Sequence, residues 1–214
     1  MEFYRRKLPH WQISGAEYFV TIRLAGTLPG QVIQELKELR KKVVKIDAEK
    51  IPVSNQDKLK RNIESKFFKK YEELLDQATT GPTWLRENGV AEIVKEALHF
   101  RDNEVYELYA YCIMSNHVHI VFRHLDNESL SGKNNNHKEL LPVTQLLKNL
   151  KSFTGLEANR RLNRTGSFWQ EESYDRLIRN EKELENVILY TINNPVKANL
   201  VSNWKEWPHT FCKT

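Results

Sequence analysis

Two histidines one residue apart, His117 and His119, sit inside the apolar run "YCIMSNHVHIVFR" (Tyr111–Arg123). Side chains alternate along a strand, so His117, His119, Val121 and Arg123 share one face and Val118, Ile120 and Phe122 the other. The second face suits packing against helices and leaves the first for something else. Histidine is a poor filler for a strand core, and two imidazoles at i and i+2 can converge on one divalent metal. The spacing alone equally allows two surface histidines with no ligand. Candidates for a third ligand and a nucleophile come from "NVILYTINNP", where Tyr190 and Asn194 are four apart and so stack on one helical face. At about 100° per residue, Leu184, Val187, Ile188, Thr191 and Ile192 form the apolar stripe of that helix. Tyr190 and Asn194 fall beside the stripe. A boundary tyrosine with its hydroxyl in water has the same spacing.

The elements that must position these groups can be read from the pattern. "EYFVTIRLAG" (Glu17–Gly26) is rich in β-branched and aromatic residues and reads as a first strand. From Gln31, apolar residues at Val32, Ile33, Leu36, Leu39 and Val43 have helical spacing. Ile63, Phe67, Leu74 and Leu75 allow a second amphipathic helix, which "GPTWL" (Gly81–Leu85) breaks. "AEIVKEALHF" predicts a third. "VYELYAYCIM" (Val105–Met114) and "HVHIVFRHL" are strand-like runs joined by Ser115-Asn116, an antiparallel hairpin. "NESLSGKNNNHKE" reads as a polar loop. "PVTQLLKNLKSFTGLEANRRLN" predicts a helix with a basic surface, "ESYDRLIRN" a strand, and "EKELENVILYTINN" a last helix stopped near Pro195. With the helices at about 45–100 taken as an insertion, residues 1–214 form one domain. Its base is βαββαβ, the ferredoxin-like α+β plan of an antiparallel sheet with helices on one face. A further C-terminal helix carries the tyrosine.

The chain has 214 residues, 40% of them hydrophobic and 29% charged, which fits a folded domain rather than a disordered one. A formal net charge of +5 favours polyanionic partners, nucleic acid first. No apolar run approaches the roughly 20 residues that span a bilayer. The basic N-terminus has no apolar stretch behind it, so a cytoplasmic protein with no membrane partner is expected. Cys112 and Cys212 lie far apart without CxxC spacing, which argues against a zinc knuckle.

"CIMSNHVHIVF" together with "ILYTINNPVKANLV" resembles the Y1 transposases of the IS200/IS605 type, and most of all the REP-associated tyrosine transposases. These are HUH single-strand nucleases, where U is a bulky apolar residue, and His117-Val118-His119 matches HUH. "RRKLPHW", "YFVTIRLAGTLP", "GPTWL" and "FWQEESYDRLIRNEKEL" match the family's habit as well, so the resemblance covers nearly the whole chain. Ser115 stands where the family often has Pro, and Asn199 where it often has Gly. Asn tolerates a left-handed backbone better than most residues, so the second change is mild.

The resemblance implies a metal-dependent, single-stranded DNA endonuclease and strand transferase acting on hairpin-containing DNA. In it a Mg²⁺ or Mn²⁺ would be held by His117, His119 and Asn194, and Tyr190 would attack to leave a 5′-phosphotyrosine and a free 3′-OH. The basic helix offers Lys148, Lys151, Arg160, Arg161 and, just beyond it, Arg164 as a face for the phosphate backbone. Arg5, Arg6 and Lys7 are a second DNA-binding candidate, which the resemblance places at a hairpin foot or the guide bases beside it. The family includes monomers and homodimers. Two other readings remain: a ferredoxin-like module that binds single-stranded nucleic acid without chemistry, and a metallohydrolase that uses a bound water.

Overall fold

A computed structural model describes residues 2–5, 9–12, 15–28, 30, 32–34, 38, 66, 68–76, 81–87, 89–125 and 141–213. The chain divides into two units, one of residues 1–25 and 83–214, the other of residues 26–82. In the smaller unit, residues 32–34 and 68–76 are helical. Its ends meet at Gly26 and Gly81, both with positive φ, and a Cβ on Gly81 would lie 2.4 Å from the Gly26 carbonyl oxygen. Only glycine fits so close a left-handed approach.

The larger unit is built on a five-stranded sheet. Its chain order runs β1 (Glu2–Arg5), β2 (Pro9–Gln12), β3 (Glu17–Arg23), α1 (Val90–Phe100), β4 (Tyr106–Ile113), β5 (His117–His124), α2 (Val143–Arg161), β6 (Tyr174–Ile178), α3 (Glu181–Ile192), α4 (Asn194–Lys197) and β7 (Thr210–Cys212). β1 and β2 form a separate antiparallel pair. The sheet order is β6-β3-β5-β4-β7, with every neighbouring pair antiparallel. Without the edge strand β7, the core β3-α1-β4-β5-α2-β6 is a βαββαβ unit, and the expected ferredoxin-like fold is the one observed.

Two differences from the sequence reading bear on the site. The helix "AEIVKEALHF", assigned to the end of the inserted stretch, is α1, the first crossover helix of the core. The histidine face is also not left open. α1 and α2 cover the other face, where Val20, Ile22, Val118, Ile120 and Phe122 join Val94, Leu98, Leu146 and Leu147 in the core. α3 packs on the histidine face against β4, β5 and β7, through its buried Val187, Thr191 and Ile192. Among the described residues no helix is long and apolar enough to cross a membrane.

The register that places the histidines is set at one tight turn. Ser115 and Asn116 join β4 to β5, as expected, and the Met114 N–H donates to the His117 carbonyl. The turn is braced from outside: Leu24 N–H donates to the Asn116 carbonyl at 2.9 Å and Leu85 N–H to the Ser115 carbonyl at 3.2 Å. A one-residue slip would turn both imidazoles into the apolar core, so the hydrophobic pattern enforces this register.

Candidate active site

His117 and His119 enter the same face of the central strand β5, and both are fully buried. Their Nε2 atoms lie 3.0 Å apart. Each ring is tied at its other nitrogen, His117 Nδ1 to Asn116 Oδ1 at 2.6 Å and His119 Nδ1 to Thr21 Oγ1 at 3.0 Å. The Asn116 side-chain carbonyl oxygen can only accept, so His117 Nδ1 carries a proton, which leaves Nε2 as the nitrogen that can offer a lone pair. Thr21 is the direct cross-strand partner of His119, which puts its hydroxyl beside that ring.

Asn194, the first residue of α4, is also fully buried. Its Nδ2 lies 3.2 Å from His119 Nε2, and its Oδ1 has no hydrogen-bond partner. An unsatisfied buried oxygen costs roughly 1–3 kcal/mol. Two imidazole nitrogens 3.0 Å apart, with a buried amide whose oxygen is unsatisfied next to them, make a donor set that fits a divalent cation.

Tyr190 stands beside this group. Its ring centroid is 5.6 Å from that of His119 and 6.2 Å from that of Phe19, edge-on in both cases. Phe19 in turn stacks on His119 at 5.5 Å. The sequence pattern places Tyr190 and Asn194 on one continuous helix, but the helix is interrupted between them. α3 ends at Ile192, and Asn193 caps it and opens α4. Pro195 accounts for the break, because it has no N–H for the Thr191 carbonyl and its ring crowds that position.

The other tyrosines on the sheet are placed differently. Tyr111 points into the opposite, apolar face, stacks on Phe211 and meets His99 Nε2 at 3.3 Å. Burial, with Glu92 and Cys112 adding to it, holds its phenol well above the ordinary tyrosine range. Tyr174 does share the histidine face, since it pairs with Thr21, which pairs with His119.

The basic residues of α2 do not form one surface. Lys148, Arg160 and Arg161 are exposed, and Arg160 pairs with Glu157 at 2.6 Å. Lys151 instead donates to the Gln170 and Glu171 carbonyls at 3.1 and 2.6 Å, and burial lowers its pKa against the pull of Glu172, Glu171 and Asp175. Arg164 lies past the helix end, with its guanidinium 3.5 Å over the Trp84 ring. Arg5 lies in β1, and Arg6 and Lys7 fall outside the described residues. Thr21 and Asn116 escape sequence reasoning as ring-orienting groups. Their signals are a hydroxyl in the middle of an apolar strand and an amide directly before the first histidine.

The site is a ferredoxin-like sheet with a His-Val-His central strand under a tyrosine-bearing helix. No family profile matches the chain. A protein of Haemophilus influenzae assigned as a REP-associated tyrosine transposase is 30% identical over 105 residues, which is 49% of this chain and 58% of that protein. The chain therefore spans little more than half of the curated relative it matches. Among solved structures, a REP-associated tyrosine transposase bound to a REP hairpin superposes with a TM-score of 0.45 at 15% identity, covering 98% of this chain and 82% of that one.

Proposed function

We propose that the protein is a metal-dependent single-stranded DNA endonuclease and strand transferase that acts on hairpin-containing DNA of the REP type, with Tyr190 as its nucleophile. One observation carries this reading: the His117 and His119 Nε2 atoms lie together, with the Asn194 side-chain amide against His119, beside a tyrosine. His117, His119 and Asn194 would hold the cation, Mg²⁺ or Mn²⁺. A bound divalent cation there supplies charge neutralisation at a non-bridging phosphate oxygen.

The protein's own groups do the rest. Tyr190 Oη forms a bond to phosphorus as the bond from phosphorus to the 3′-oxygen breaks. The phenol gives up one proton and the leaving 3′-oxygen takes one. The products are a 5′-phosphotyrosine and a free 3′-OH, and the exchange of one phosphodiester for another needs no external energy, so reversal can rejoin strands. His119 and Phe19 fix the position of the Tyr190 ring, and Asn116 and Thr21 fix the imidazoles.

Labelled single-stranded hairpins from the gene's own flanks, incubated with protein and Mn²⁺, test the reading on a denaturing gel. A covalent protein–DNA band is expected. Cleavage without that band would favour a water-using metallohydrolase, and binding without cleavage a non-catalytic module.

Two quantitative expectations accompany it. Asn116→Ala frees the His117 ring and should weaken Mn²⁺ binding by about 10–100-fold, read by calorimetry. Affinity for single-stranded DNA should fall linearly with salt on a log–log plot, with a slope of about −0.7 per phosphate contacted. If the exposed Arg160 and Arg161 are such contacts, replacing both with Ala makes the slope shallower. An unchanged slope removes them from the DNA-binding surface.

A further inference from the structure

Lys197 closes α4, with its ammonium 5.5 Å from the centroid of the Tyr190 ring. This is within the roughly 6 Å range of a cation–π contact. Across the break at Asn193, Lys197 reaches the Tyr190 ring and Asn194 reaches His119, which is in ring contact with Tyr190. Lys197 is exposed, whereas Asn194 is buried and Tyr190 half-buried. The last turn of α3 holds no basic residue, and Lys197 lies in the last turn of α4.

We infer that Lys197 is a phosphate contact of the reaction: its ammonium pairs with a non-bridging oxygen of the phosphate that Tyr190 attacks and then carries. The inference rests on the reading of Tyr190 as nucleophile. An ammonium binds a phosphate oxygen more strongly than it binds an aromatic face. The four-carbon stem lets the charge move from the ring to an anion at the ring's hydroxyl end without any change in backbone. The phosphate remains an anion before and after transfer to Tyr190. Lys197 therefore gives and takes no proton. It holds the phosphate in line while the bond to Tyr190 Oη forms and the bond to the 3′-oxygen breaks. In the reverse step it holds the phosphotyrosine for the returning 3′-OH.

The test compares wild type with Lys197→Met, Lys197→Gln and Lys197→Arg, using the same Mn²⁺ and hairpin substrate. Single-turnover adduct formation at saturating DNA is measured alongside DNA affinity and melting temperature. Met and Gln should slow adduct formation by about one to two orders of magnitude. They should change affinity by no more than about threefold, since one phosphate among many is lost. Arg keeps the charge and should stay within about threefold of the wild-type rate. Wild-type rates in Met and Gln overturn the inference, as does an Arg variant as slow as Met. A wild-type protein that forms no adduct overturns the Tyr190 reading itself, a result distinguishable because it appears before any substitution is made.

Discussion

Tyr190→Phe is expected to bind metal and hairpin DNA as the wild type does, yet form no covalent adduct. The substitution removes one oxygen and leaves the ring that packs edge-on against Phe19 and His119. Melting temperature and gel-shift affinity should therefore stay at wild-type values while the covalent band disappears. The control is Tyr174→Phe, which should still form the adduct. Tyr174 lies on the correct face, so orientation alone does not exclude it. Distance does: β6 is two strands from β5, roughly 9–10 Å at the spacing of paired strands. A nucleophile must come within about 3–3.5 Å of a phosphorus that itself lies against the candidate metal ligands. Tyr190 is in ring contact with His119. An adduct that survives in Tyr190→Phe and is lost in Tyr174→Phe would reassign the nucleophile to β6.

His117→Ala and His119→Ala should each reduce cleavage by at least about two to three orders of magnitude while leaving most DNA affinity in place. Affinity comes chiefly from phosphate contacts spread over the surface, whereas the imidazoles are buried and face inward. Each variant also removes a hydrogen bond, the one to Asn116 Oδ1 in one case and the one to Thr21 Oγ1 in the other. That costs about 0.5–1.5 kcal/mol, a modest drop in melting temperature for a folded domain. Cleavage, gel shift and melting on the same preparations separate the effects. Full cleavage by either variant would remove the histidines from the metal site.

The sheet and its register were legible in the sequence because both rest on period-two alternation and on one turn, Ser115-Asn116. The apolar residues of β5 had to face helices, so the histidines had to face the other way. What covers that second face was not legible. α3 has an apolar stripe, and a stripe shows that a helix packs without showing where. The role of α1 as a crossover helix was hidden because its pattern matches that of the helices before it. β7 and the β1–β2 pair are strands of three and four residues, too short for alternation to register. On α2, charge count suggested one basic face, but Lys151 turns inward because the Gln170 and Glu171 carbonyls arrive beside it from distant sequence. Thr21 and Asn116 became visible only when cross-strand pairing and the turn brought them to the rings.

The interruption at Asn193 gives Tyr190 and Asn194 separate mechanical supports. The backbone bonds of the second support run from Lys197 N–H to the Asn193 carbonyl and from Ala198 N–H to the Asn194 carbonyl. None of these originates in the turn that carries Tyr190. An unbroken helix would make the two groups a single lever, so that any excursion of the phenol would drag the amide with it. With a proline joint, the last turn of α3 can unwind while Asn194 stays against His119 and Lys197 stays with Asn194. Hydrogen exchange should then show two protection classes across a span of ten residues, with Leu189 to Asn193 opening independently of Lys197 and Ala198.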